Sequence, residues 1–410
     1  MLFFSSVDLI VGNEGFRGAF GERINFMLLC RTGRAFSAFA LAVVMLGLFF
    51  APQSWAIEAS NQNNTQKKSG KQLYKEACAA CHGADGTGVD ASTVGFAVPL
   101  PDFSDCVFAP REPNGDWYFV TAEGGPARGF DKKMPAFGDA LTEAEILRIM
   151  DYLRVFCQDS NWARGELNLP RALVTTKAYP EDEVVWAAAV NLDKQNIIAN
   201  EFIYEQRFGS RNQFELIIPF GWSEQVRSDG GTEWTSSVGD IGVALKRVMF
   251  HSLKTGSIVS LGGELFLPTG DEDEGFGNDT TVFEPYISYG QLLPADFSLQ
   301  FQVGAALPFD TDRIDEKIFW RGVLGKTFVL GRYGHAVTPM VELLGAKELA
   351  SAANTNWDVV PQIQIPLNRR QHVRLGIGAQ LPLNNTDQRE ETYHVYVLWD
   401  WFDGGLFEGW

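Results

Sequence analysis

From about Glu183 onward, hydrophobicity alternates with a period of two in one segment after another. Phe297, Leu299, Phe301, Val303 and Ala305 alternate with Ser298, Gln300, Gln302 and Gly304. Val373, Leu375, Ile377, Ala379 and Leu381 alternate with Arg374, Gly376, Gly378 and Gln380, and Val259, Leu261, Gly263, Leu265 and Leu267 alternate with Ser260, Gly262 and Glu264. Successive side chains of a strand point to opposite faces, so each segment is a strand with one apolar and one polar face. About twelve such strands are predicted, near 183–192, 197–208, 213–221, 240–250, 256–267, 282–291, 296–308, 317–330, 336–346, 357–366, 372–382 and 391–402. Alternation alone fits a soluble sandwich with one wet face as well as a barrel in lipid.

The connections discriminate between these. Short turns follow the second, fourth, sixth, eighth and tenth strands, at 209–212, 251–254, 293–295, 331–335 and 367–371. Longer polar loops follow the third, fifth, seventh, ninth and eleventh, including SEQVRSDGGTEWTSSVGD and TGDEDEGFGNDT. Short periplasmic turns, long external loops and an even strand number belong to outer-membrane barrels. With twelve strands, both barrel ends fall on the short-turn side. Trp222, Phe266, Trp399, Trp401 and Phe402 near strand ends fit an interfacial girdle, with ordinary core packing as the alternative. The polar face, with Arg374, Glu264, Gln300 and Gln302, would line a lumen.

The first part of the chain has different chemistry. Arg31 and Arg34 precede an apolar run from Ala35 to Ala51, and Ser54-Trp55-Ala56 reads as a cleavage site for export, with Met27 as the expected start. Retention of the run as an anchor is the alternative, since it is at the lower limit for a span. Residues 1–56 are therefore taken as a signal peptide region, 57–69 as a flexible leader, 70–159 as a helical domain, 160–182 as an extended linker and 183–410 as the barrel. Cys30 lies upstream of the apolar run and is expected to be discarded. The formal net charge of −17 leaves no excess of Lys and Arg to neutralise phosphates, which disfavours nucleic acid as a partner.

Within 70–159, Leu73, Tyr74 and Ala77 recur at helical spacing, and a short helix is predicted near 115–122. Thr142 and Glu145 form a capping box ahead of the stripe Ile146, Ile149, Met150, Leu153 and Phe156. Between them stands Cys78-Ala79-Ala80-Cys81-His82, a C-x-x-C-H sequence. Two thiols three positions apart on one helical turn can each form a thioether to one porphyrin, and the next residue offers an imidazole to its iron. A redox dithiol would need a βαβ context, and zinc would need two further ligands. The axial position opposite His82 is assigned to Met134 in Lys133-Met134-Pro135-Ala136-Phe137-Gly138, because Met150 belongs to the apolar stripe. The histidines His251, His335, His372 and His394 all fall in the barrel.

Gly70-x-x-x-Tyr74, the C-x-x-C-H-G run, Gly86-x-Gly88, the Met-Pro loop and the last helix together resemble a small His/Met monohaem cytochrome c. The resemblance covers about ninety residues. It implies an all-α domain with one covalent haem c, Cys78 and Cys81 as thioethers, and His82 and Met134 on the iron. It also implies that the first helix crosses the last through Gly70, Tyr74 and Tyr152, and that the carbonyl of Pro99 or Pro101 orients His82. The strand Glu215–Phe220, with Gly239-Asp240 and Pro268-Thr269-Gly270, is similar to outer-membrane transporter-like barrels. The whole layout resembles cytochrome–porin fusions.

The expected fold is α + β multidomain, a helical cytochrome domain followed by an antiparallel transmembrane β-barrel. Cys106 and Cys157 remain. An oxidising periplasm permits a disulfide between them, with two free thiols as the alternative. The leading function is an electron carrier anchored in the outer membrane, its haem domain in the periplasm with a periplasmic redox partner protein. The alternatives are a porin with a redox-sensing domain, passing a small solute, and part of a trans-membrane electron conduit. An enzyme is the weakest class, since His/Met ligation leaves iron no open position and peroxidase chemistry would need Met134 to leave.

Overall fold

The computed structural model describes residues 67–97, 99–191, 196–226, 230–351 and 353–401. The export segment with Met27 and Cys30, residues 57–66 of the leader, and Phe402 lie outside the described residues.

The helical region runs α1 (Gly70–Ala77), α2 (Ala79–His82), α3 (Ala91–Val94), α4 (Asn114–Glu123) and α5 (Glu143–Leu153). The helix signalled by Leu73, Tyr74 and Ala77 is α1, and a break at Cys78 separates it from α2. Ser69 caps α1, and its partner Gln72 returns a bond to the cap backbone. Thr142 and Glu145 do the same for α5. These caps satisfy the orphan N–H groups of each first turn. Leu73, Tyr74, Phe103, Trp117, Ile146, Ile149, Met150 and Leu153 form the core. Each aliphatic side chain buried there contributes about 1.5–3 kcal/mol. Helix α1 crosses α5 so closely that a Cβ on Gly70 would lie 2.0 Å from the Arg148 carbonyl oxygen. Tyr74 meets Tyr152 at this crossing, ring centroids 5.4 Å apart.

The barrel staves are β1 (Glu183–Asn191), β2 (Ile197–Phe208), β3 (Asn212–Val226), β5 (Gly242–Ser252), β6 (Ser257–Phe266), β7 (Val282–Leu293), β8 (Phe297–Pro308), β9 (Lys317–Lys326), β11 (His335–Glu348), β12 (Asn356–Pro366), β13 (Val373–Pro382) and β14 (Thr392–Asp400). Every neighbouring pair is antiparallel, and β14 pairs with β1, closing a twelve-stranded barrel. Two accessory strands depart from the expected pattern. The loop after the third strand is partly a hairpin, in which β4 (Thr232–Val238) pairs with the extended end of β3. The eighth stave ends at Lys326 and is continued by the short β10 (Phe328–Leu330).

Burial follows the period of two. Ser298, Gln300 and Gln302 are buried inside, whereas Phe297, Leu299, Phe301 and Val303 face outward. Trp222 lies outward as expected of a girdle, but Phe266 does not. Phe266 is buried in the barrel interior against Gly242. Trp401 is also buried, stacked on Tyr204 with centroids 6.0 Å apart. The strand-end position of an aromatic does not reveal its face, and the pleat decides it. Among the described residues no helix is long and apolar enough to cross a membrane.

The segment expected to be an extended linker fills the barrel instead. The Pro170 carbonyl accepts from Gln300 Nε2 at 2.8 Å, Arg171 O from the Tyr396 hydroxyl at 2.7 Å, and Val174 O from Arg321 at 2.9 Å. Backbone N–H groups of Leu173, Val174 and Thr175 all donate to the Glu342 carboxylate, at 2.9, 3.1 and 2.9 Å. Apart from a short 3-10 turn at Gly165–Leu167 the segment is irregular, and it satisfies its backbone on the polar wall, as buried coil must. Leu173 sits against Gly378, and Leu169 against Gly290, where any Cβ would collide.

The helical domain rests on the short-turn rim. Arg128 joins Asp116 to the Tyr333 carbonyl, Arg332 pairs with Glu123, and Arg370 lies 4.6 Å from the Phe130 ring centroid. Arg111 pairs with Asp182 where the chain enters β1.

Candidate functional site

Cys78, Cys81 and His82 sit on one helical turn, as their spacing requires. The N–H of Cys81 and of His82 both donate to the Cys78 carbonyl, at 3.1 and 2.9 Å. The turn is fixed from below by Tyr74, whose hydroxyl donates to Gly83 O at 2.7 Å and His82 O at 3.2 Å. It is fixed from above by Gly88 N and Val89 N, which donate to the His82 and Cys81 carbonyls. Gly86 adopts φ 81°, and a Cβ there would meet the Phe156 ring at 2.5 Å. The Gly86-x-Gly88 pair thus lets the loop fold back over the cysteines against the end of α5.

Both thiols are free and half-buried. Burial pushes the Cys78 thiol up to about 11, with the neighbouring Cys81 adding to the shift, so it is held neutral. Burial likewise lowers His82 to about 4, which keeps its imidazole neutral with a lone pair to offer. Phe103 lies 5.2 Å from the imidazole, and Trp117 packs edge-on against Phe103 at 5.1 Å. In this apolar setting His82 Nδ1 is buried and has no hydrogen-bond partner. Neither Pro99 nor Pro101, expected to orient the ring, bonds to it. An unsatisfied buried nitrogen costs about 1–3 kcal/mol. It is tolerated where another group is to be bound.

Met134 is presented by a loop whose backbone is held from both sides. Its N–H donates to Asp131 O at 3.1 Å, and its carbonyl accepts from Gly125 N at 3.0 Å. Gly124 has φ 82°, and a Cβ on Gly125 would fall 2.3 Å from Asp131 O. Only glycine permits that approach at either position. Downstream, Phe137 N and Gly138 N donate to Thr121 and Ala122 carbonyls at 2.9 Å each, tying the loop to α4. Lys133 bonds the Gly95 carbonyl and sits 5.6 Å from the Phe96 ring, which links the methionine loop to the segment after the cysteine turn. The half-buried Met134 is therefore held by backbone, leaving its thioether free of structural duty.

Cys106 and Cys157 form a disulfide with Cα atoms 5.4 Å apart, joining the 102–108 loop to the chain just after α5. The barrel histidines lie elsewhere. His372 Nδ1 is 2.8 Å from Asp400, His394 faces Gln380, and His251 meets the Asn161 carbonyl. Among the described residues no three His, Cys, Asp or Glu side chains are grouped to hold a metal ion. The donor set on the cysteine turn, two thiols and a neutral imidazole, fits covalent haem better than a chelated ion. The roles of Gly124, Gly125 and Lys133 went unread in the sequence. The Gly-Gly-Pro run after a helix was the signal that could have found the two glycines.

Residues 65–153 match the family described as "Cytochrome C oxidase, cbb3-type, subunit III". Residues 194–320 match the family described as "Putative MetA-pathway of phenol degradation". No curated protein matches the chain. Among solved structures, the KdgM porin is similar at 13% identity and TM-score 0.36, over 53% of this chain and 99% of that one. The COG4313 outer membrane channel from Pseudomonas putida F1 is similar at 12% identity and TM-score 0.40, over 56% and 98%. The NanC porin is similar at 10% identity and TM-score 0.35, over 53% and 99%. The chain thus joins a helical region that matches a cytochrome c family model to a closed twelve-stranded antiparallel β-barrel.

Proposed function

We propose that this protein is a one-electron carrier with a single covalent haem c, anchored in the outer membrane by its own barrel. The observation that carries the reading is the buried, unpartnered, neutral His82 imidazole set on the same turn as two free thiols. Haem bound there supplies a reversible one-electron couple. Cys78 and Cys81 would fix it to the turn, and His82 and Met134, the latter on its backbone cradle, would hold its iron. Iron held by two protein ligands would leave no position for a substrate, which favours a carrier over an enzyme. Gly125, Gly124 and Lys133 act through Met134 as positioning residues.

The haem domain belongs on the periplasmic side. Supporting this, it rests on the rim made by short turns, and short turns are the periplasmic ones in outer-membrane barrels. The lipid partner is indicated by the outward Phe and Leu side chains around a polar interior. A free solute pore is disfavoured by the 163–182 segment in the lumen. A complete conduit is disfavoured because one haem at the rim cannot span an apolar band roughly 25 Å tall. The electron therefore passes to a periplasmic partner protein.

Carbon monoxide tests the reading. The reduced wild-type protein should not bind it, because Met134 occupies the far position. Met134→Ala should keep its haem and bind carbon monoxide. Binding by the wild type, or loss of haem attachment in the variant, would contradict the assignment.

A further inference from the structure

The barrel interior carries a row of acidic side chains from rim to rim. Asp400 on β14 is registered opposite Glu183 on β1, Glu183 opposite Glu205 on β2, and Glu205 opposite Glu215 on β3. Glu215 then faces Ala244 on β5, Ala244 faces Glu264 on β6, and Glu264 faces Glu284 on β7. Asp400 and Glu183 lie at the short-turn ends of their strands, whereas Glu284 lies near the long-loop end of β7. Strands of a barrel are tilted, so a row perpendicular to them climbs the wall as a spiral. These carboxylates thus mark a path along the whole lumen. All are buried, and like charges directly opposite across strands are destabilising. Such a row is kept only if cations occupy it.

The wall supplies some of these cations. Lys246 lies 3.7 Å from Glu215 and Arg374 lies 3.7 Å from Asp400, which also meets the His372 ring at 2.8 Å. The plug supplies the others. Arg171 lies 2.5 Å from Glu183 and 2.7 Å from Glu205, and Lys177 lies 3.7 Å from Glu183 while also pairing with Glu181. Further along, Glu264 is only 5% exposed, and the wall cations Arg321 and Lys246 act on it. Beside it on β7, the Tyr286 hydroxyl and Ser288 Oγ are buried, face the lumen and have no hydrogen-bond partner. Carboxylate and hydroxyl oxygens together are ligands for hard cations.

We propose that the barrel is a plugged cation channel: the Asp400–Glu284 spiral is its conduction path, and Arg171 and Lys177 are tethered counter-ions that hold it shut. Withdrawal of the plug exposes acidic groups that favour cations over anions, as acidic rings do in cation channels. The latch is Glu342, off the spiral, which takes the backbone N–H groups of Leu173, Val174 and Thr175, the Thr175 hydroxyl at 2.6 Å and the Gln362 amide. This inference stands without the haem assignment.

The test is single-channel recording of the full-length, haem-loaded protein in planar bilayers under a KCl gradient. Glu342→Ala should raise open probability over wild type by about tenfold, which needs only about 1.4 kcal/mol less hold on the plug. Its reversal potential should lie toward that of K+. Adding Glu264→Gln and Glu284→Gln should keep the current and erase the preference for K+. Heat-modifiable mobility in gels reports barrel folding. If Glu342→Ala fails it, Arg171→Gln with Lys177→Gln replaces it, and the wild type's own openings under high voltage give the selectivity directly. Folded variants as shut as wild type, openings that prefer Cl− or neither ion, or a chain that conducts under none of these conditions would overturn the proposal. Haem content, measured in parallel, tells failure of the carrier reading apart from failure of the channel.

Discussion

The helical domain and the barrel bury opposite things. In the first, Leu73, Ile146, Ile149 and Leu153 are inside and the charged residues outside, apart from the buried Arg111, Glu112 and Arg128. In the second, Glu215, Glu264, Gln300, Gln302 and Glu342 are inside, while Phe297, Leu299, Phe301 and Val303 face out. On the proposed reading one chain therefore obeys two solvents. Hydrophobic burial drives the helical domain together in water. The barrel closes its backbone hydrogen bonds strand to strand and would turn its apolar face to lipid. The difference teaches where each part can work: an apolar wall keeps His82 neutral on the cysteine turn, and the lumen needs polar side chains to hold a coil.

The largest expected effect sharpens the contrast in how the two parts are held. A domain of about ninety residues has a small core, and its disulfide closes a loop with a sequence separation of 51. Replacing both cysteines, Cys106→Ala with Cys157→Ala, should destabilise the helical domain by about 4 kcal/mol on the chain-entropy account. Its denaturant midpoint should fall while the strand signal of the barrel in circular dichroism keeps its own. A common shift of both transitions would mean the parts fold as one unit.

The next prediction attacks the two-solvent claim itself. Phe301 on the barrel and Leu147 on α5 are almost equally exposed, at 43% and 42%. Phe301→Lys should cost about 2–4 kcal/mol if that face meets the middle of a bilayer. Leu147→Lys should stay within about 0.5 kcal/mol, because its surroundings are water. Unfolding titrations of each variant in lipid vesicles compare them, and equal costs would break the distinction.

The smallest effect is local. Thr142→Ala removes the cap of α5 and should cost about 1 kcal/mol, read as a lower midpoint of the helical transition alone.

Much of this was legible in the sequence, for reasons that differ between the parts. The cysteine–histidine turn is a local motif, so its residues lie together in sequence and the fold adds little beyond the Tyr74 bonds to it. The α5 cap is equally local. The strands were legible because a period of two survives any register, and β8 was expected at 296–308 and found at Phe297–Pro308. The plug was not legible. Residues 163–182 carry no periodicity, and their partners Glu342, Gln362, Gln302 and Tyr396 are more than a hundred residues away. Phe266 was misread because an aromatic at a strand end suits either face until its register is known. The carboxylate spiral was invisible for the same reason, since its members are neighbours only across strands.

The measurement that bears most directly on the account is acid–acetone extraction of the protein purified from outer membranes, followed by the pyridine haemochrome spectrum of the precipitate. The account predicts one haem per chain retained through Cys78 and Cys81, and none retained in Cys78→Ala with Cys81→Ala. Porphyrin that leaves the wild type freely, or stays on the double variant, would contradict it.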